Sequence, residues 1–212
     1  MKGILIILLA FSSISVFGQN HYIGILAGIN ESHSLLSTSI SESGSITCFS
    51  SGITYDYRIK KHINLGANIL YFQNRFSTPS QIFPNKYGTN IWSNEYIDFK
   101  FNYISFQFKG GYIVGKNFFA NLNLGIIPSI LLKAQNTYSY FDKKETVDVT
   151  TKFPRFDYSG LCEIGCGYSF KNNFVLFSSL TYLQSFLKSK AEYGILQKVT
   201  TLSLGLKYGL KI

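Results

Sequence analysis

The sequence predicts an all-β protein, an eight-stranded antiparallel up-and-down transmembrane β-barrel. Three observations lead there. Long segments alternate between apolar and polar residues, the period of a strand with one face in an apolar medium. Their connections alternate between tight turns and long polar loops, as in a meander with all its turns at one end. The composition combines 19 Phe, 15 Tyr and 18 Gly with only 15% charged residues, and aromatic rings favour the pleated surface of strands.

The chain opens MKGILIILLAFSSISVFGQ. Lys2 precedes an apolar stretch from Ile4 to Phe17 that ends at the small Gly18, the layout of a secretory signal peptide. Residues 1–18 are therefore expected to be a cleaved leader, and 19–212 the barrel domain. The apolar run is short for a membrane-spanning helix, which needs roughly 20 residues. The longest later apolar patch, GIIPSILL at 125–132, is shorter still and contains a proline. A transmembrane helix is not expected anywhere in the mature chain, whose 194 residues suffice for one domain.

Eight strands are predicted near residues 21–31, 46–59, 62–76, 97–114, 117–133, 157–170, 173–187 and 197–212. The second sets Phe49, Ile53, Tyr55 and Tyr57 against Ser50, Gly52, Thr54, Asp56 and Arg58. The third and seventh alternate less cleanly, with Leu70, Phe72, Val175 and Phe177 on the otherwise polar side. In the fourth, Ile104, Phe106, Phe108, Tyr112 and Val114 oppose Tyr103, Ser105, Gln107, Lys109 and Gly111. The fifth opposes Ala120, Leu122, Leu124, Ile126, Pro128, Ile130 and Leu132 to Asn121, Asn123, Gly125, Ile127, Ser129, Leu131 and Lys133. The sixth opposes Tyr158, Cys162, Ile164, Cys166 and Tyr168 to Ser159, Glu163, Gly165 and Gly167. The eighth is the most regular: Leu202, Leu204, Leu206, Tyr208 and Leu210 alternate with Ser203, Gly205, Lys207 and Gly209. It should pair with the first strand and leave no free edge. Leu204 and Leu206 should then be exposed, and Lys207 enclosed.

Alternation alone does not say whether the apolar face meets lipid or a protein core. Length does, because ordinary soluble strands run about 5–6 residues. The predicted segments are mostly 11 to 18 residues long, more than enough to cross a bilayer at about 9–11. Position does too: Tyr55, Tyr57, Tyr112, Phe118, Tyr168, Phe170, Phe174 and Tyr208 gather beside the tight turns at 59–62, 115–117 and 171–173. An interfacial girdle of aromatic residues sits there in outer-membrane barrels. A soluble barrel with the apolar face inward would carry charges on its outer wall. Here they lie in the turns and in the long loops near 32–45, 77–96, 134–156 and 188–196.

The chemistry-bearing residues are few. Cys162 and Cys166 sit about 13 Å apart along a strand, too far for a disulfide or a shared metal ion. Cys48 is isolated, as are His21, His33 and His62. His33, with Ser32, Ser34, Glu31 and Glu42 nearby, reads as part of a polar loop, since sequence neighbours rarely converge into a triad. Asp142, Glu145 and Asp148 alternate with lysines and read as a charge-balanced loop. No enzyme, metal or cofactor is expected. The formal net charge of +9 is spread over turns and makes no basic face for nucleic acid.

Inside the barrel, Asp56, Arg58, Lys109, Lys133, Glu163 and Lys207 share the inward parity. Charges in a narrow lumen must be paired or hydrated, so an ion-pair network around Glu163, with Lys109, Lys207, Asp56 and Arg58, is expected to plug it. The loop aromatics Tyr87, Trp92, Tyr96, Tyr138, Tyr140 and Phe141 are the candidate contacts to a partner.

The first mature strand and its exit, YIGILAGINESHSLL (22–36), place Gly24, Ile25, Gly28, Ile29 and Asn30 in a Gly-apolar-x-x-Gly-apolar-Asn order. With the turn Tyr57-Arg58-Ile59-Lys60 and the ending Gly205-Leu206-Lys207-Tyr208, the chain resembles the PorT-like small outer-membrane β-barrels of Bacteroidetes. The resemblance spans the mature chain and implies an eight-stranded outer-membrane barrel. The barrels it resembles are mostly of unassigned function, and their namesake takes part in protein secretion across the outer membrane. The expected function is that of a non-enzymatic structural or interaction barrel in contact with outer-membrane lipid, with a protein partner met through its loops. The alternatives are a secretion accessory and a narrow channel. The pattern sets no oligomeric state.

Overall fold

The computed structural model describes residues 20–36, 44–59, 62–79, 96–140, 143–186 and 195–211. The expected leader lies outside them. Ten strands form: β1 (Asn20–Leu36), β2 (Gly44–Ser45), β3 (Thr47–Arg58), β4 (Ile63–Pro79), β5 (Tyr96–Gly115), β6 (Phe118–Tyr140), β7 (Lys143–Asp148), β8 (Phe156–Ser169), β9 (Phe174–Ser185) and β10 (Ile195–Lys211). Eight of them close a barrel, each antiparallel to the next, in the order β1-β3-β4-β5-β6-β8-β9-β10. The closing pair runs the full length of β1, from Asn20↔Lys211 to Leu36↔Ile195. The small β2 and β7 are additions to β4 and β6 at the long-loop end.

The lipid test is met on β10: Leu204 is 60% exposed and Leu206 42%, while Lys207 is 7% exposed. An outer band of large apolar side chains, among them Ile25, Ile53, Ile69, Leu124, Ile164 and Leu180, surrounds the barrel. On β5 the outward series Ile104 to Val114 gives its height. Ten steps of about 3.3 Å, tilted by about 45°, rise about 23 Å, which matches an apolar belt of about 25 Å.

At the short-turn end, backbone conformation fits residue type. Asn173 (φ 67°) and Gly115 (φ 110°) take the left-handed region that these two types reach at least cost. Ile59 N donates to Ile63 O at 3.0 Å, and Phe170 N to Phe174 O at 2.8 Å, closing two of the turns. Rings collect just above them. Tyr168 meets Phe170, and Phe174 meets Tyr208, edge-on with centroids 5.0 and 5.1 Å apart. His21 Nδ1 lies 2.7 Å from the Tyr55 hydroxyl.

Two sequence expectations change. The long loop at 134–156 is largely structured: β6 continues to Tyr140, β7 turns back along it, and a single 3₁₀ turn at Thr150–Lys152 follows. Lys133 also points outward, not into the lumen. Asn102 pairs with Lys133 but Tyr103 pairs with Leu131, so Leu132 is an extra residue on β6. Such a bulge reverses the facing of every side chain beyond it. Leu132 and Lys133 are consecutive exposed residues, and Ala134 turns inward.

Candidate functional site: the barrel lumen

Inward-facing residues divide the lumen into two storeys. The lower one, toward the short turns, is charged. β5 supplies Lys109, β8 Glu163, β3 Asp56 and β10 Lys207, each on the inward parity of its strand. Lys109 Nζ donates to both carboxylate oxygens of Glu163, each at 2.7 Å. Asn123 Nδ2 donates to the same carboxylate at 2.7 Å, and the Thr181 hydroxyl at 3.3 Å. Four strands therefore meet at one carboxylate whose side chain is 4% exposed. Lys207 Nζ bonds Asp56 Oδ2 and lies 3.8 Å from the centre of the Phe177 ring.

Glycine makes the room. A Cβ on Gly66 would come within 3.0 Å of Lys109 Cγ and 2.9 Å of Asp56 Oδ1. On Gly24 it would come within 2.8 Å of Lys207 Cγ. The lysine stems thus lie over bare backbone of the neighbouring strands.

Four of the five charges form two ion pairs, and only Lys109 bonds Glu163 directly. Lys207 is paired with Asp56. Arg58 instead places its guanidinium carbon 4.4 Å from the Tyr22 ring centre and 5.1 Å from that of Phe119, a cation–π contact at the short-turn mouth. Leu26, Leu70, Ile113, Val175 and Phe177 fill the space between. The irregular residues of the third and seventh predicted strands are thus lumen packing.

The upper storey holds an apolar cluster, beside the buried Ser32, Asn74 and Asn136, that sequence reasoning missed. Phe72, Phe76, Phe99, Phe101, Tyr103 and Leu131 lead a buried cluster on the inner face of the long-loop end. Phe76 and Phe99 stack at 5.1 Å, and Phe101 stacks on Tyr103 at 6.3 Å. The chain beyond β7 covers them. Val149 is 3% exposed, and Phe153 meets Phe101 edge-on at 4.9 Å. Val149 N donates to Ala134 O at 2.9 Å. The Thr150 hydroxyl accepts from Ala134 N at 2.9 Å and donates to Asp148 Oδ1 at 2.6 Å. Between the storeys a cavity of about 20 Å³ is lined by Tyr103, Ser105, Gln107, Ser129, Asp157 and Gln197 among others, room for about one water.

The candidate loop contacts divide. Tyr87, Trp92 and Phe141 lie outside the described residues. Tyr96 begins β5 and Tyr140 ends β6, while Tyr138 is half-buried against the apolar storey. On β1, Ser32 is buried in the lumen and Glu31 exposed on the outside, so these two face apart. Among the described residues no three His, Cys, Asp or Glu side chains gather as they would around a metal ion. Cys162 and Cys166 are exposed on the outer face, and no disulfide forms.

Comparison with known proteins agrees with this geometry. The family model for the outer membrane protein beta-barrel domain matches residues 17–190. β10 lies beyond that stretch and is placed by its pairing with β1. No curated protein matches in sequence. Among solved structures, the outer membrane protein OprG from Pseudomonas aeruginosa has a TM-score of 0.55 at 12% identity, covering 92% of this chain and 97% of its own. The attachment invasion locus protein Ail of Yersinia pestis has a TM-score of 0.43 at 17% identity, covering 90% and 99%. The outer membrane protease OmpT from Escherichia coli has 0.43 at 10%, covering 93% and 100%. The family points to the outer membrane.

Proposed function

This chain belongs to the outer membrane protein beta-barrel domain family, and we propose that it is a non-enzymatic barrel whose lumen is plugged. In this reading residues 1–18 are a cleaved export leader. The short turns face the periplasm and the long-loop end faces outward, the asymmetry usual in such barrels. The mature barrel, PorT-like in this reading, acts as a structural or interaction protein, with the loops at its outer end meeting an extracellular or membrane partner.

The observation that carries the plug is the lower storey. Lys109 and Glu163 meet inside the lumen with side chains each 4% exposed, and Lys207 and Asp56 form a second bridge. A conducting path would need water around these charges, and the packing of Leu70, Val175 and Phe177 in the lumen supports a dry interior. Planar-bilayer recording of the purified protein tests this. The plug predicts no steady conductance from the native chain, and current from a Glu163→Ala/Lys109→Ala double variant. A large steady conductance from the native chain would overturn it. Crosslinking in intact outer membranes tests the partner, and recovery of secretion machinery would favour an accessory role.

A further inference from the structure

We infer that the outer face of the β4–β5–β6 wall, at Arg75, Lys100 and Lys133, binds the phosphate groups of an outer-leaflet glycolipid. The three cations sit on three consecutive strands, just above the apolar belt. Arg75 and Lys100 are direct cross-strand partners. Lys133 pairs with Asn102, two residues along β5 from Lys100 on the same face. Diagonal neighbours of this kind lie about 7–8 Å apart, so two ammonium groups can close on one phosphate.

Three features set this patch apart from a solvated rim. First, like charges directly opposite one another destabilise a sheet, and the Arg75–Lys100 pair accepts that cost. Second, the local anions are already engaged. Asp98 accepts from Arg75 at 2.8 Å. Asp148, which feels the charge of Lys133, accepts from the hydroxyl and N–H of Thr150. Among the described residues neither Lys100 nor Lys133 has an ion-pair partner. Third, Lys133 reaches the outer face only through the Leu132 bulge; in a regular strand it would point into the lumen. Bulges that re-aim one side chain are frequent beside binding sites.

Location selects the ligand. Below the patch, Ile69, Phe108, Ile126 and Leu132 are exposed and offer a surface for acyl chains. Above it, Ser77, Asp98 and Thr137 are polar. A molecule filling both zones carries fatty chains below a phosphorylated head. This rests on the long-loop end facing outward, as proposed for the barrel as a whole. A lysine beside anionic lipid contributes about fivefold in affinity, so the pair is worth about ten- to thirtyfold.

The test uses the purified full chain in uncharged detergent, with native mass spectrometry counting bound lipid. The probes are monophosphoryl lipid A and the same lipid with its phosphate removed. The native protein should prefer the phosphorylated form by about ten- to thirtyfold. Lys100→Gln/Lys133→Gln should lose that preference, and Lys100→Arg/Lys133→Arg should keep it. A heat-modifiability gel confirms that each variant is folded, and both lysines are on the outer face where substitution spares the core. The inference fails if the native protein shows no preference, or if the glutamine variant retains it. It also fails if inorganic phosphate abolishes the preference, which would mean a site for the free anion. None of these outcomes bears on conductance, so the plug stands or falls separately.

Discussion

Replacing Lys109 by methionine keeps most of the side-chain volume and removes the charge. The structure sets the cost. Glu163 would lose two bonds of 2.7 Å and keep only those from Asn123 and Thr181. Removing one partner of a buried pair leaves the other charge uncompensated, at about 3–5 kcal/mol. If the lumen were hydrated, the same pair would behave as an exposed one, worth about 1 kcal/mol or less. The two cases are well separated. Adding Glu163→Leu removes the stranded carboxylate, leaving mainly the unpaired Asn123 amide, at about 1–3 kcal/mol. The double variant should therefore be no worse than Lys109→Met alone, although Glu163→Leu by itself also strands a charge. Urea unfolding in lipid vesicles, followed by far-UV circular dichroism, gives the four free energies of the cycle. A Lys109→Met cost below about 1 kcal/mol, or additive single effects, would refute a dry plug.

Gly66→Ala should be destabilising by about 1–3 kcal/mol in the same assay, because its Cβ would come within 3.0 Å of Lys109 and Asp56 atoms; an unchanged midpoint would mean that Lys109 does not cross there. Deleting Leu132 should leave a folded barrel on a heat-modifiability gel, since Leu131 then continues directly into Lys133 without a bulge. Deleting Leu124 should abolish folding, because it reverses the facing of half a strand inside the belt. At the outer end, bonds from the Thr150 hydroxyl and N–H hold the Asp148 carboxyl below its usual range. The carboxylate form is therefore the one the fold favours. Its contribution is complete above about pH 4 and lost as pH falls through the depressed value. The Thr150 amide resonance should titrate with a midpoint below that of a free aspartate, and a midpoint at or above it would contradict the bonding.

What was legible in the sequence follows from one physical fact: a strand in a membrane barrel meets a different medium at each height. In the belt, lipid demands apolar residues outside and leaves the narrow lumen to Gly, Ser, Asn and paired charges. The strand count, the closing pair and the inward facing of Lys109, Glu163, Asp56 and Lys207 could all be read from that parity. Which cation pairs with which anion could not, because barrel tilt shifts neighbours past one another; Lys207 meets Asp56 instead of Glu163 for that reason.

Above the belt the outside medium is water, and the rule inverts without any change in parity. On β5 the outward series is apolar from Val114 to Ile104, then becomes Asn102, Lys100 and Asp98. The inward series changes in the opposite sense, from Lys109, Gln107 and Ser105 to Tyr103, Phe101, Phe99 and Ile97. β4 follows in part, with Gln73, Arg75 and Ser77 outside and Phe72 and Phe76 inside, while Asn74 between them is buried and donates to Gln197 at 2.7 Å. A reader who scores each strand with a single apolar face sees only noise at these ends. Read as a crossing point, Asn102 to Ile104 marks the upper limit of the belt. It also explains why an aromatic core sits at the outer end: beyond the lipid, the wall can bury apolar surface only against itself. The bulge at Leu132 falls at this same height, where β6 must pass from one rule to the other. It lets Leu132 stay on lipid while Lys133, the next residue, also faces outward at the boundary.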